Sequence, residues 1–154
     1  MPESPTIKPS LFEALQAFLS EERLPAAFGQ TFVAWYAGIT RHLAARADVN
    51  TQPLLVGVSG CQGSGKSTLA KAMARIAQEV FGTPATTLSL DDFYLTQTER
   101  KRLSESIHPL FATRGVPGTH DLALLNSTLQ ALTKVDGPVA LPEFDKARDE
   151  RTKP

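Results

Sequence analysis

Leu54-Leu55-Val56-Gly57-Val58-Ser59-Gly60-Cys61-Gln62-Gly63-Ser64-Gly65-Lys66-Ser67-Thr68 passes from a short apolar block through three glycines to a lysine and two hydroxyl residues. Gly60 to Ser67 is a complete G-x-x-x-x-G-K-S. The apolar block has the length of a strand. After the loop, Leu69, Met73, Ile76 and Val80 recur at helical spacing until Gly82 and Pro84 stop them. Glycines at 60, 63 and 65 allow the backbone to turn successive N–H groups inward, and the helix beginning near Lys66 adds its own unpaired N–H groups and positive dipole end. On this reading Gly60, Gln62, Gly63, Ser64, Gly65, Lys66, Ser67 and Thr68 hold nucleotide phosphates, with ATP the expected nucleotide. Lys66 bridges the β- and γ-phosphates, the Ser67 hydroxyl is a ligand for Mg²⁺, and Thr68 lies on the α-phosphate side. With this chain's own composition, one such match arises by chance with a probability of roughly 0.005.

A second strand is expected over Ala85–Leu90, ending at Asp91-Asp92. Leu122, Leu125, Leu129 and Leu132 mark a helix that Asp121 can cap, and Val139 to Leu141 offers a third short strand after Gly137-Pro138. Strands alternating with helices imply right-handed crossovers and a parallel sheet. The expected fold class is therefore α/β, a P-loop NTPase-type parallel sheet with flanking helices.

A short helical region precedes it. Residues 1–9 hold three prolines and read as a loose tail. Ser10 and Glu13 suggest a capping box, with Leu11, Leu15, Phe18 and Leu19 on one face of the ensuing helix. Beyond Pro25, Phe32, Tyr36, Ile39 and Leu43 define a second amphipathic helix, with Trp35 and Tyr36 expected as core aromatics. The turn-rich link Asn50–Pro53 divides the chain into residues 1–50, packing on the core, and residues 51–154, the nucleotide-binding part.

The chain has 154 residues, enough for one core of ordinary size. Its 16 basic and 16 acidic side chains cancel, so there is no broad positive field for a nucleic acid or an anionic membrane. The single cysteine, Cys61, excludes an internal disulfide and suits a reducing compartment. No apolar run approaches the roughly 18 residues of a spanning helix, and no targeting segment is evident, which makes the cytoplasm the default.

The loop alone does not separate a GTPase, an ATPase motor and a small-molecule kinase. Thr133-Lys134-Val135-Asp136 matches a base-reading T-K-x-D, but it comes after a leucine helix rather than a strand, and no D-x-x-G occurs in the chain. Residues 134–137 are read instead as a helix-to-strand turn. Asp91-Asp92 imitates a metal-holding acid at a strand end. Its position 25 residues beyond Lys66 favours a base that takes the proton of an acceptor hydroxyl.

Here the sequence resembles the P-loop kinases related to uridine kinase, phosphoribulokinase and pantothenate kinase. Leu90-Asp91-Asp92-Phe93-Tyr94 is similar to that group's D-x-F-Y element, and the resemblance places the base on Asp91. Thr113-Arg114-Gly115-Val116-Pro117-Gly118-Thr119-His120-Asp121, with Pro142-Glu143-Phe144-Asp145-Lys146-Ala147 and Asp149-Glu150-Arg151, resembles the D-glycerate 3-kinase branch. The resemblance spans residues 54–151 and implies transfer of the ATP γ-phosphoryl group to the 3-hydroxyl of D-glycerate. Other acceptors in the group, a nucleoside or a pantothenate-like compound, stay open, as does a non-catalytic ATP-binding module.

A small carboxylate acceptor calls for a cation with fork geometry, which Arg114 or Arg151 can supply, with Lys146 and His120 as second choices. The same motifs put Asp92, Tyr94 and Asp145 on the acceptor side. Members of the resembled group continue into a further acidic strand, an arginine-bearing lid and adenine-contacting segments, so the sheet is expected to be incomplete. Pairing with a second copy or with a C-terminal half is expected on the same ground.

Overall fold

In the computed structural model, residues 9–134 and 137–152 are described, and the chain divides into two compact units, residues 1–87 and 88–154. Residues 1–8 of the expected tail, and positions 135 and 136 of the T-K-x-D string, lie outside the described residues. The division falls beyond the Asn50–Pro53 link, so the phosphate-loop helix sides with the N-terminal helices.

The first unit is helical. Helix α1 spans Pro9–Glu21, α2 Phe28–Thr31, α3 Ala37–Asp48 and α4 Lys66–Phe81. Helix α1 starts one residue before Ser10, which therefore sits inside the first turn rather than ahead of it. Leu11, Leu15 and Phe18 from α1 meet Phe32 and, from α4, Ala72 and Ile76 in one buried cluster. The Phe18 and Phe32 rings lie 5.6 Å apart. Burying each such side chain contributes about 1.5–3 kcal/mol, which outweighs the surface ion pair Glu22–Lys71 between the turn after α1 and α4, at about 0–1 kcal/mol.

The apolar face of the second helix differs from its sequence pattern. Between α2 and α3, Phe32–Tyr36 forms a turn of π-helix, which takes up one extra residue and shifts the helical phase of α3. Thr40 and Ala44 are therefore buried, while Ile39 is exposed. Trp35, expected in the core, is 67% exposed for the same reason. Tyr36 keeps its inward place, edge-on to Phe28 at 5.7 Å.

None of the segments Leu54–Val58, Ala85–Leu90 and Val139–Leu141 forms a strand among the described residues. The composition favours extended chain, but a strand exists only through ladder bonds to a neighbour, and no neighbour is provided. Leu54, Leu55, Val56 and Val58 stand exposed as a result. Among the described residues, the one sheet is a two-stranded antiparallel hairpin, in place of the expected incomplete parallel sheet.

That hairpin lies in the second unit. β1 (Glu143–Asp145) pairs antiparallel with β2 (Glu150–Thr152), Phe144 opposite Arg151. Two helices accompany it, α5 (Gln97–Ser106) and α6 (Leu122–Lys134). Helix α6 coincides with the leucine repeat, and Asp121 Oδ1 accepts from the Leu124 N–H at 2.9 Å, as its capping role requires. Helix α5 carries a single apolar residue, Leu103, so no periodicity announces it. It is started by Thr96 and Glu99, whose side chains and backbone N–H groups bond reciprocally in a capping box. Phe93, Tyr94 and Phe144 form the buried apolar centre of this unit. No helix among the described residues is long and apolar enough to cross a membrane.

Candidate functional site

The phosphate loop belongs to the first unit. Gly63 and Gly65 adopt φ of 76° and 82°, the left-handed region that a side chain resists, and Gly65 stands directly before α4. A Cβ on Gly60 would come within 2.9 Å of Ser64 Oγ, so a side chain there would require the Ser64 hydroxyl to turn away. No side chain caps the N-terminus of α4, and its first turn holds no acidic residue. These N–H groups are thus left for an anion, in the field of the helix dipole. The loop residues 60–65 are exposed, and Lys66 Nζ donates to the Cys61 carbonyl at 2.7 Å. The ammonium is thereby held over the loop, where a phosphate would exchange one oxygen acceptor for another.

Among the described residues, no group of three or more His, Cys, Asp or Glu side chains can hold a metal ion. The donor set suits an ion that arrives with its nucleotide, since Mg²⁺ in such sites keeps water and phosphate oxygens and takes few protein ligands. Ser67, exposed in the first turn of α4, is the residue available to it.

The acceptor-side residues belong to the second unit. Asp91 and Asp92 stand on a 3₁₀ turn, Leu90–Phe93, whose Asp91 N–H is met by Ser89 Oγ, rather than at a strand end. Lys146, from the hairpin turn, donates to Asp91 Oδ2 at 2.7 Å. That hydrogen bond holds the Asp91 carboxyl below the usual carboxylate range, against the opposing effect of its partial burial. Burial first, then the nearby Asp91 carboxylate, pushes the Tyr94 phenol up. Tyr94 stacks on His120 at 4.3 Å, across an isolated antiparallel bridge that brings the D-x-F-Y segment and the Thr113–Asp121 segment together.

The other expected residues divide by what they touch. Asp92 Oδ1 accepts from the Phe144 N–H at 3.2 Å and so seats the hairpin. Asp145 Oδ1 accepts from the N–H groups of Arg148 and Ala147, which hold that carboxyl below its usual range and shape the turn. Arg151 places one guanidinium nitrogen 3.1 Å from Asp121 and the other 3.6 Å from Glu99, spending its fork within the protein. Arg114 donates through Nη1 to Asp149 at 2.7 Å and to the Lys146 carbonyl at 3.2 Å, while its side chain stays 35% exposed. Asp91, Tyr94, His120, Lys146 and Arg114 are therefore one neighbourhood. Asp92, Asp145 and Arg151 build its frame.

Sequence reading passed over Arg100 and the bridging role of Asp149. Arg100, fully buried, donates through Nε to the Leu95 carbonyl and through Nη2 to both the carbonyl and a carboxylate oxygen of Asp149. In a helix written Gln-Thr-Glu-Arg-Lys-Arg-Leu-Ser-Glu-Ser, nothing in the sequence separates Arg100 from its solvated neighbours.

A glycine loop of this geometry at a helix N-terminus defines a P-loop phosphate-binding protein. No protein-family model matches the chain. It is 42% identical over 101 residues to the uncharacterised kinase mug58 of Schizosaccharomyces pombe, covering 63% of this chain and 36% of that protein. It is 35% identical over 108 residues to the probable ATP-dependent kinase TDA10 of Saccharomyces cerevisiae, covering 64% of this chain and 37% of that one. Among solved structures, the D-glycerate 3-kinase of Cryptococcus neoformans matches with a TM-score of 0.64 and 34% identity, over 84% of this chain and 47% of that chain. The chain is a homologue of the kinases of the uridine kinase and D-glycerate 3-kinase type. It spans less than half the length of these relatives.

Proposed function

We propose that this chain binds Mg·ATP at Gly60–Thr68 and takes part in transfer of the γ-phosphoryl group to a hydroxyl of a small carboxylate, with the 3-hydroxyl of D-glycerate the preferred acceptor. The observation that carries this reading is the Asp91–Lys146 pair at 2.7 Å, beside the partly exposed guanidinium of Arg114. It puts a carboxylate able to take a proton among cations able to hold the acceptor's negative charge. In the reaction the acceptor oxygen forms a bond to the γ-phosphorus as the bond to the β,γ-bridging oxygen breaks. ADP leaves, and the hydroxyl proton passes to Asp91. Lys66 and the loop N–H groups bind and neutralise the phosphate oxygens, and Ser67 would hold a Mg²⁺ that arrives with the nucleotide, which would supply further neutralisation.

Two kinds of relative support the acceptor: the solved D-glycerate 3-kinase, and a D-glycerate 3-kinase of Arabidopsis thaliana among the curated homologues. The test is titration of the chain with Mg·ATP, then ADP release on addition of D-glycerate, uridine or pantothenate. The expected result is ATP binding, with turnover on D-glycerate alone. Asp91→Asn should lower turnover by about 10²–10⁴-fold while the ATP dissociation constant stays within about twofold. Turnover on uridine would reassign the acceptor. ATP binding without turnover on any of the three would favour a nucleotide-binding module.

A further inference from the structure

Asp149 lies between two guanidinium groups. Arg100 holds Oδ2 at 2.8 Å and the main-chain carbonyl at 3.0 Å, and Arg114 holds Oδ1 at 2.7 Å. Asp149 adopts φ 55°, a left-handed conformation that a residue other than glycine takes only where its surroundings fix it. Both guanidiniums also lie over the Phe144 ring, at 5.9 Å and 5.6 Å from its centre. One carboxylate between two fixed cations leaves a net positive charge. Arg100 is fully buried, so that charge can meet a ligand only through Arg114. The Arg114 nitrogen bound to Asp149 also grips the Lys146 carbonyl, so the orientation of Arg114 and the course of the turn bearing Lys146 are set together.

We propose that Arg100 and Asp149 are positioning residues that aim the free side of the Arg114 guanidinium at the carboxylate of the acceptor. This rests on the reading of the acceptor as a small carboxylate. Neither residue touches the acceptor. Their role is to hold the fork and the Lys146 turn in one arrangement before the acceptor arrives, which removes the cost of ordering two long side chains on binding.

The experiment measures the affinity of the full chain for D-glycerate and for its uncharged amide, glyceramide, with Asp149→Asn, Arg114→Ala and the double variant. Asparagine keeps the size of the side chain and tolerates positive φ, but lacks the charge that pairs two guanidiniums. Asp149→Asn is expected to weaken D-glycerate by roughly tenfold and glyceramide by less than about twofold. In the Arg114→Ala background the same change should have no further effect. If the unaltered chain binds the two compounds equally, the carboxylate reading falls and the positioning role with it. If it prefers D-glycerate and Asp149→Asn prefers it just as strongly, the positioning role alone is overturned. Additive losses in the double variant overturn it as well. Should Asp149→Asn fail to fold, Asp149→Gly, which adopts φ 55° without strain, carries the same expectations.

Discussion

Lys66 and Lys146 show how much a single ammonium decides here. Lys66 is folded onto the Cys61 carbonyl above the loop. Lys66→Ala should remove a charge-assisted bond worth about 1.5–3 kcal/mol and weaken ATP roughly 10- to 150-fold, which titration with Mg·ATP checks. Lys146 is the chief reason that the Asp91 carboxyl sits low. A carboxyl lowered in the folded state is ionised down to a lower pH than usual, so a rate that needs Asp91 as a base falls only on acidification past that lowered value. Lys146→Met removes the cause, and the acid limb of the pH–rate profile should move to higher pH; an unmoved limb would detach Asp91 from the proton transfer. Lys66 was legible because the motif ties it to neighbouring glycines. Arg100 was not, since its burial depends on Asp149, 49 positions away.

At the scale of the element, the capping pair Thr96 and Glu99 matters more than helix propensity for α5, which has no apolar face to hold it down. Thr96→Ala should cost about 1 kcal/mol, visible as a lower melting temperature with ATP affinity unchanged. The hairpin depends on charge in a similar way. Burial pushes the Asp149 carboxyl up, but the bonds from Arg100 and Arg114 outweigh it and hold it low. The stability it contributes is therefore present above the ordinary carboxylate range and is lost as pH falls through the lowered value. Helices α4 and α6 were legible because their apolar spacing and end signals agree. The π turn at Phe32–Tyr36 was not, because nothing in Phe-Val-Ala-Trp-Tyr itself calls for an extra residue in the turn. Packing of Phe32 into the cluster with Phe18 and Ile76 accompanies the phase that buries Thr40 and Ala44.

For the whole molecule, two facts act together. Its formal net charge is zero, and Leu55 is 72% exposed in an apolar segment without ladder partners. Apolar strand-forming sequence at low net charge favours association between chains. The chain should therefore self-associate as its concentration rises, and Leu55→Lys should shift that onset to higher concentration, as light scattering would measure. By itself, the sequence determined the phosphate loop, the helix directly after it and the capped leucine helix. Each of these is a local pattern, where neighbouring residues supply the glycine freedom, the cap or the apolar spacing. The tertiary structure alone decided that Leu54–Val58 stays unpaired, that Trp35 faces solvent, and that Asp91, Lys146, Arg114 and buried Arg100 converge. Ladder bonds, helix phase and buried ion pairs are contacts between distant positions, and their energies appear only once the chain has folded.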